Sequence, residues 1–200
     1  MNIRLATATI LIAMGTTQTV LAQDTGEWIV RGGFHTMEPK SHNNALVDVE
    51  STTGLTFTAT YMFAPKWGVE LLGGLPFLHG ITLQGAGEVA ETELLPPTLS
   101  LQYHVNPNGH VRPYFGAGVN YTFFSSERTW GPLQGNQLEL AGSYGPAAQV
   151  GLDIDVIPGW FFNLDARWFD IDTDAKLDGV ALGTIEIDPY AIGVSVGRRF

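Results

Sequence analysis

Ser100 and His104 come nearest in this sequence to a nucleophile and its base. A serine hydroxyl needs the histidine within hydrogen-bond reach to lose its proton. Four residues of extended chain, at ~3.3 Å each, hold the two about 13 Å apart, too far for that chemistry. The other histidines, His35, His42, His79 and His110, show no HExxH run or other ligand spacing. Asp170-Ile171-Asp172-Thr173-Asp174 spaces its carboxylates as a calcium loop would. It lacks the central glycine and distal glutamate of such a loop, and reads as a strand end entering solvent. Cysteine is absent, which removes disulfides, thiolate chemistry and Cys-ligated metals. No catalytic residue, metal site or cofactor is expected, and the chain does not read as an enzyme.

Composition narrows the class further. Asp and Glu number 20 against 10 Lys and Arg, giving a net charge of −10 with no basic block. A phosphate-neutralising nucleic-acid binder is disfavoured on that ground. Hydrophobic residues at 44% argue against disorder, and 24 glycines argue against a helical bundle. Residues 1–22 carry a secretory signal layout: Arg4, an apolar stretch from Leu5 to Met14, then Val20-Leu21-Ala22 as the cleavage site. The remainder, 23–200, reads as one domain with no apolar run near the ~18 residues of a membrane helix. An exported chain of this kind can enter a membrane only as a closed barrel.

Period-two alternation supplies the staves of such a barrel. Leu55, Phe57, Ala59, Tyr61 and Phe63 alternate with Thr56, Thr58, Thr60 and Met62. The same pattern recurs over 98–105, 115–123, 148–154 and 190–197, and segments 27–37, 67–78 and 160–172 bring the candidate strands to eight. Long polar connections at 38–52, 79–92, 125–137 and 173–186 alternate with short ones at 64–66, 106–110 and 157–159. That asymmetry is the layout of a bacterial outer-membrane barrel, with both termini on the short-turn, periplasmic side. A soluble lipocalin-like barrel would also alternate, so residue types must decide between them. Trp28, Phe63, Trp67, Tyr103, Phe115 and Phe200 cluster near the short turns, and Phe34, Phe57, Phe77, Phe123 and Tyr190 near the loops. Aromatics at both ends of an aliphatic band are membrane girdles, and the expected fold is an all-β, eight-stranded antiparallel transmembrane barrel.

So narrow a barrel has room inside for little more than side chains. Parity points Arg31, Glu70, Gln102, His104, Arg112, Asp153, Asp155, Asn163, Asp165, Arg167 and Arg199 into the periplasmic half of the lumen. Four arginines against four acids must pair there, forming a polar floor. Above it, the same parity turns Leu72, Pro76, Leu78, Leu94 and Phe124 inward, with Phe169 and Ile171. Inward apolar residues suggest a greasy pocket open to the outside. The assignment holds if no irregularity shifts parity, and Gly73-Gly74 and Pro96-Pro97 are where one would sit. Proline cannot donate to a ladder, so Pro76, Pro96 and Pro97 should weaken the seam between the third and fourth strands, a lateral opening towards lipid.

Several runs carry a resemblance. They include Gly68-Val69-Glu70-Leu71-Leu72, Leu94-Leu95-Pro96-Pro97-Thr98, Arg112-Pro113-Tyr114 with Gly116-Ala117-Gly118-Val119-Asn120-Tyr121-Thr122, and Gly145-Pro146-Ala147-Ala148-Gln149-Val150-Gly151. With Asp170-Ile171-Asp172-Thr173 and the terminal Arg199-Phe200, the mature chain resembles the outer-membrane protein W (OmpW) family nearly throughout. The resemblance implies a hydrophobic channel passing small apolar molecules by a lateral route. It also implies contacts with outer-membrane lipids, small hydrophobic solutes and, through the C-terminal Phe200, the barrel assembly machinery. Two positions depart from the pattern. Arg167 stands where an inward aromatic is expected, and Arg198 takes the aromatic position two before the final Phe. A structural or surface-interaction barrel without transport is the competing function, and it would need no greasy upper lumen.

Overall fold

The computed structural model describes residues 25–40, 47–83, 85 and 87–200; the segment read as a signal peptide and His42 lie outside them. Its strands are β1 (Trp28–Glu38), β2 (Val47–Val49), β3 (Thr52–Ala64), β4 (Trp67–Gly74), β5 (Phe77–Leu83), β6 (Gly87–Leu95) and β7 (Thr98–His104). The second half adds β8 (Val111–Thr129), β9 (Leu138–Leu140), β10 (Ser143–Ile157), β11 (Trp160–Phe169), β12 (Asp172–Leu177), β13 (Val180–Glu186) and β14 (Tyr190–Arg199). Eight of these form the staves of a closed antiparallel barrel, in the order β1-β3-β4-β7-β8-β10-β11-β14, with β14 returning to β1. Trp28 and Phe200 exchange backbone hydrogen bonds of 3.1 and 2.9 Å, so the start of the first stave and the end of the last meet at the short-turn rim. The eight-stranded barrel expected from alternation is the architecture found.

Strand β14 displays the reason plainly. Ala191, Gly193, Ser195, Gly197 and Arg199 point inward and are buried, while Tyr190, Ile192, Val194, Val196 and Arg198 are exposed on the outside. An outer surface of that kind is stable only against lipid. The short-turn rim carries the aromatic pairs Trp28–Tyr61 and Trp67–Tyr103, with centroids 5.1 and 4.9 Å apart.

Two expectations need correction. The stretches 79–92 and 173–186, read as loops, are mostly strand: β5 and β6 form one hairpin, β12 and β13 another. The second hairpin turns on Asp178-Gly179, both at positive φ (51° and 78°), the residue pair that a tight hairpin turn selects. The other correction concerns parity. Leu75 and Pro76 are consecutive exposed residues between β4 and β5, and two outward residues in a row invert the alternation beyond them. Pro76 and Leu78, expected in the lumen, therefore lie on the outside, Leu78 at 50% exposure. Phe77, expected in the outer girdle, is buried and packs over Gly54, where a Cβ would lie 2.7 Å from its ring.

Candidate functional site

The lumen is built in tiers. Lowest, beside the short turns, Arg112 grips Asp155 with two hydrogen bonds of 2.6 Å, and Arg199 reaches the same carboxylate at 2.7 Å. Arg112 also donates to the carbonyl of Gly109 in the turn below, at 3.0 Å. Next come Phe161, Ile29 and Met62, a small apolar layer sealed inside the barrel. Phe161 has the guanidinium groups of Arg31, Arg112 and Arg199 at 5.5, 5.6 and 5.8 Å from its ring centroid. Cations over an aromatic face are attracted by its quadrupole, so the ring couples the charged tiers on either side.

The middle tier is a connected ion network. Arg31 binds Asp153 through two nitrogens and Glu70 at 3.3 Å. Glu70 also receives Arg167 at 2.9 Å and the Gln149 amide at 3.0 Å. Arg167 donates on to Asp165 at 2.5 Å, and His35 bridges Asp165 (2.9 Å) and the Thr56 hydroxyl (2.6 Å). Asn163 ties Asp153 to the Tyr114 hydroxyl at 2.8 and 3.0 Å. His104 stacks on Tyr114, with centroids 5.3 Å apart. The structure thus brings Arg31, Glu70, His104, Arg112, Asp153, Asp155, Asp165, Arg167 and Arg199 together inside the lower lumen, almost wholly shielded from solvent. Sequence reasoning omitted His35, Tyr114 and Phe161. Each shares its parity with an assigned neighbour (Arg31, Arg112 and Asn163), so alternation alone could have found them.

Above the charges the chemistry changes. Met37, Leu72, Phe77, Leu94, Phe169 and Ile171 belong to one buried apolar cluster, with Phe124 packed against it. Further out lies an apolar cavity of about 200 Å³, walled by residues that include Ile81, Val89, Leu138, Leu140, Leu177 and Ile185. The cavity lies between the β5–β6 hairpin and the β9–β12–β13 sheet, whose two hairpins fall largely in segments read from sequence as polar loops.

The barrel wall beside the apolar cluster is interrupted. The β4–β7 ladder ends at Leu72↔Thr98, and the β5–β6 ladder begins at Phe77↔Leu94. Between them, residues 73–76 and 95–97 have no registered pair with one another. Each side is instead held by its other neighbour. Gly73, Gly74 and Leu75 stay on β3, where the Leu75 N–H donates to the Leu55 carbonyl at 2.9 Å. Leu95 stays registered with Phe123 of β8, and the Tyr121 N–H donates to the Pro97 carbonyl at 3.0 Å. Pro76 and Pro96-Pro97 occupy the two edges, and none of them has an N–H to give. Leu72, Phe77 and Leu94 face the interior there, while Leu71 and Leu75 are both 57% exposed outside.

Beyond the staves, Asp170, Asp172 and Asp188 bring ligand atoms within 4.8 Å of one another. Asp188 accepts the Ile171 N–H at 3.1 Å and is paired with Lys40 at 3.0 Å. Lys40 also contacts Glu186, and these two carboxylates raise its ammonium above the usual range. Partial burial, reinforced by Asp188, Asp170 and Glu186, pushes the Asp172 carboxyl up.

The OmpW family model matches residues 12–200. Outer membrane protein W of Salmonella typhi is 37% identical over 193 residues, covering 90% of this chain and 91% of that one. The dibenzothiophene metabolism operon protein DoxH of Pseudomonas sp. (strain C18) is 32% identical, over 76% of this chain and 74% of its own. The crystal structure of OprG from Pseudomonas aeruginosa superposes with a TM-score of 0.80 at 33% identity, covering 90% of this chain and 98% of that one. Barrel closure, the lipid-suited exterior and these matches converge: the chain belongs to the OmpW family and is a β-barrel of the bacterial outer membrane.

Proposed function

We propose that the barrel carries small hydrophobic molecules passively from the outer surface into the bilayer. A solute enters the apolar cavity, settles against Leu72, Leu94 and Phe124, and leaves sideways between Pro76 and Pro96-Pro97. The observation that carries this reading is the ladder break from Leu72↔Thr98 to Phe77↔Leu94, set beside the apolar cluster and above the ion network. Apolar contact is worth about 25 cal/mol per Å² to the solute. Descent into the Arg31–Glu70–Asp153 tier would forfeit that contact and separate buried ion pairs, which is strongly unfavourable. The sideways route keeps apolar surroundings from cluster to lipid. The dibenzothiophene operon in DoxH's name fits an apolar cargo, since that compound is a fused aromatic heterocycle.

The chain has no cysteine, so a Pro76→Cys/Pro96→Cys pair can be joined cleanly by a short bifunctional maleimide. Cells displaying the linked barrel should take up naphthalene no faster than cells without it, and the unlinked variant should behave as wild type. Normal uptake through a linked, heat-modifiable barrel would exclude the lateral exit. Wild-type uptake no faster than that of barrel-free cells would favour the purely structural reading.

A further inference from the structure

His79 is the polar member of the inward face of β5, placed between Phe77 of the apolar cluster and Ile81 of the cavity wall. It is 1% exposed. Its Nδ1 lies 2.7 Å from the Glu50 carbonyl oxygen. A carbonyl only accepts, so the proton of this ring sits on Nδ1. Burial lowers the ring's basicity and keeps it neutral. Nε2 is therefore a bare lone pair, able to accept and unable to donate. Among the described residues it has no hydrogen-bond partner. Thr92 is registered directly opposite, but its hydroxyl proton is committed to the Ser125 carbonyl at 3.3 Å.

We propose that His79 Nε2, on the inward face of β5 between the apolar cluster and the cavity wall, is a polar anchor for solutes on this path, accepting a hydrogen bond from the hydroxyl of an apolar alcohol or phenol. This rests on the uptake reading above and assigns its preferred solute class. Three other solute classes fit this acceptor poorly. A hydrocarbon leaves the buried acceptor unsatisfied. A carboxylate has no proton to give and sets its own lone pairs against it. An ammonium would bring an uncompensated charge into apolar surroundings. A neutral hydroxyl on an apolar body supplies the one donor this nitrogen lacks, and it brings no charge to bury.

1-Naphthol and naphthalene differ by that one hydroxyl. Wild-type barrels should favour 1-naphthol by roughly fivefold to tenfold over naphthalene, after correction for partition into protein-free membranes. His79→Phe keeps a ring but removes the acceptor and should abolish the preference while still passing naphthalene. His79→Gln restores an acceptor and should recover part of it. Independently of transport and of any variant's folding, the ¹⁵N resonance of His79 Nε2 in the unaltered barrel should shift with 1-naphthol and stay put with naphthalene. Equal passage of both solutes through wild type and His79→Phe would overturn the anchor and leave apolar uptake standing. Failure of both solutes to enter wild type would remove the uptake reading itself. The nitrogen resonance would then decide the anchor, an unchanged shift overturning it.

Discussion

Arg31 and Asp153 face each other across the lumen from staves that are not neighbours, joined through Nε–Oδ1 at 3.1 Å and Nη2–Oδ2 at 2.8 Å. Because Arg31 also reaches Glu70, one guanidinium fastens β1 to both β4 and β10. A pairing of this kind braces the barrel across its width, which backbone ladders running around the wall cannot do. It also makes the network sensitive to one-sided change, since every acid in the tier is buried with its arginine.

Arg31→Met should accordingly destabilise the barrel by ~3–5 kcal/mol, the usual cost of stripping the partner from a buried charge. Arg31→Met combined with Asp153→Leu should recover much of that loss, because a well-packed apolar pair leaves no orphaned carboxylate. Urea unfolding of the two variants in lipid vesicles measures the difference. A double variant no more stable than the single one would mean that shape, not charge, sets the cost.

Packing around Phe161 makes a second demand. A Cβ built on Gly197 would stand 2.2 Å from the Phe161 ring, which is held among three guanidinium groups and cannot easily retreat. Gly197→Ala should cost ~1–3 kcal/mol, as overpacking typically does. Adding Phe161→Leu should relieve the clash, so the double variant should unfold at higher urea than Gly197→Ala alone.

Most of the barrel could be read from alternation, because every stave has one face on lipid and one on a charged or small-residue interior. The inward direction of the paired arginines and acids followed from parity, and Arg167, where the resemblance led to an inward aromatic being expected, joins them between Glu70 and Asp165. What escaped was non-periodic. Leu75-Pro76 inserts two outward residues in succession, so parity counted from Leu72 misplaced Phe77 and Leu78. The cavity wall was missed for another reason. Leu138 and Leu140 are brought to Leu177 and Ile185 of the β12–β13 hairpin by the pairing of β9 with β12, a long-range contact that no local pattern encodes.

Asp172 offers a test by pH. Its folded pKa lies above the ordinary carboxylate value because of partial burial and the neighbouring Asp188, Asp170 and Glu186. A raised carboxyl pKa means that the charged form opposes the fold at neutral pH, and that the penalty is relieved as pH falls through the folded value. The Asp172 amide, which donates to Ser143 Oγ at 3.0 Å, should gain protection from hydrogen exchange on acidification from pH 7 into the carboxylate range. In Asp172→Asn that gain should shrink, with protection at pH 7 equal to wild type or greater. Loss of protection at pH 7 in the variant would mean that the carboxylate supports the loop instead of straining it.

The floor of the apolar cluster gives the last prediction. Leu72 is registered between Thr58 on β3 and Thr98 on β7, and Thr58 Oγ1 has no partner among the described residues. Leu72→Asn introduces an amide where one hydroxyl is at hand to pair with it, which offsets part of the cost of burying a polar group. For a passing solute the same change removes apolar contact at the level of the ladder break. Losing about 55 Å² of such contact, at ~25 cal/mol per Å², amounts to ~1.4 kcal/mol, or about tenfold. Naphthalene uptake should fall by that order in a barrel that still folds and remains heat-modifiable, at some loss of urea resistance. Undiminished uptake by a folded Leu72→Asn barrel would place the solute path away from this residue, and with it away from the break between Pro76 and Pro96.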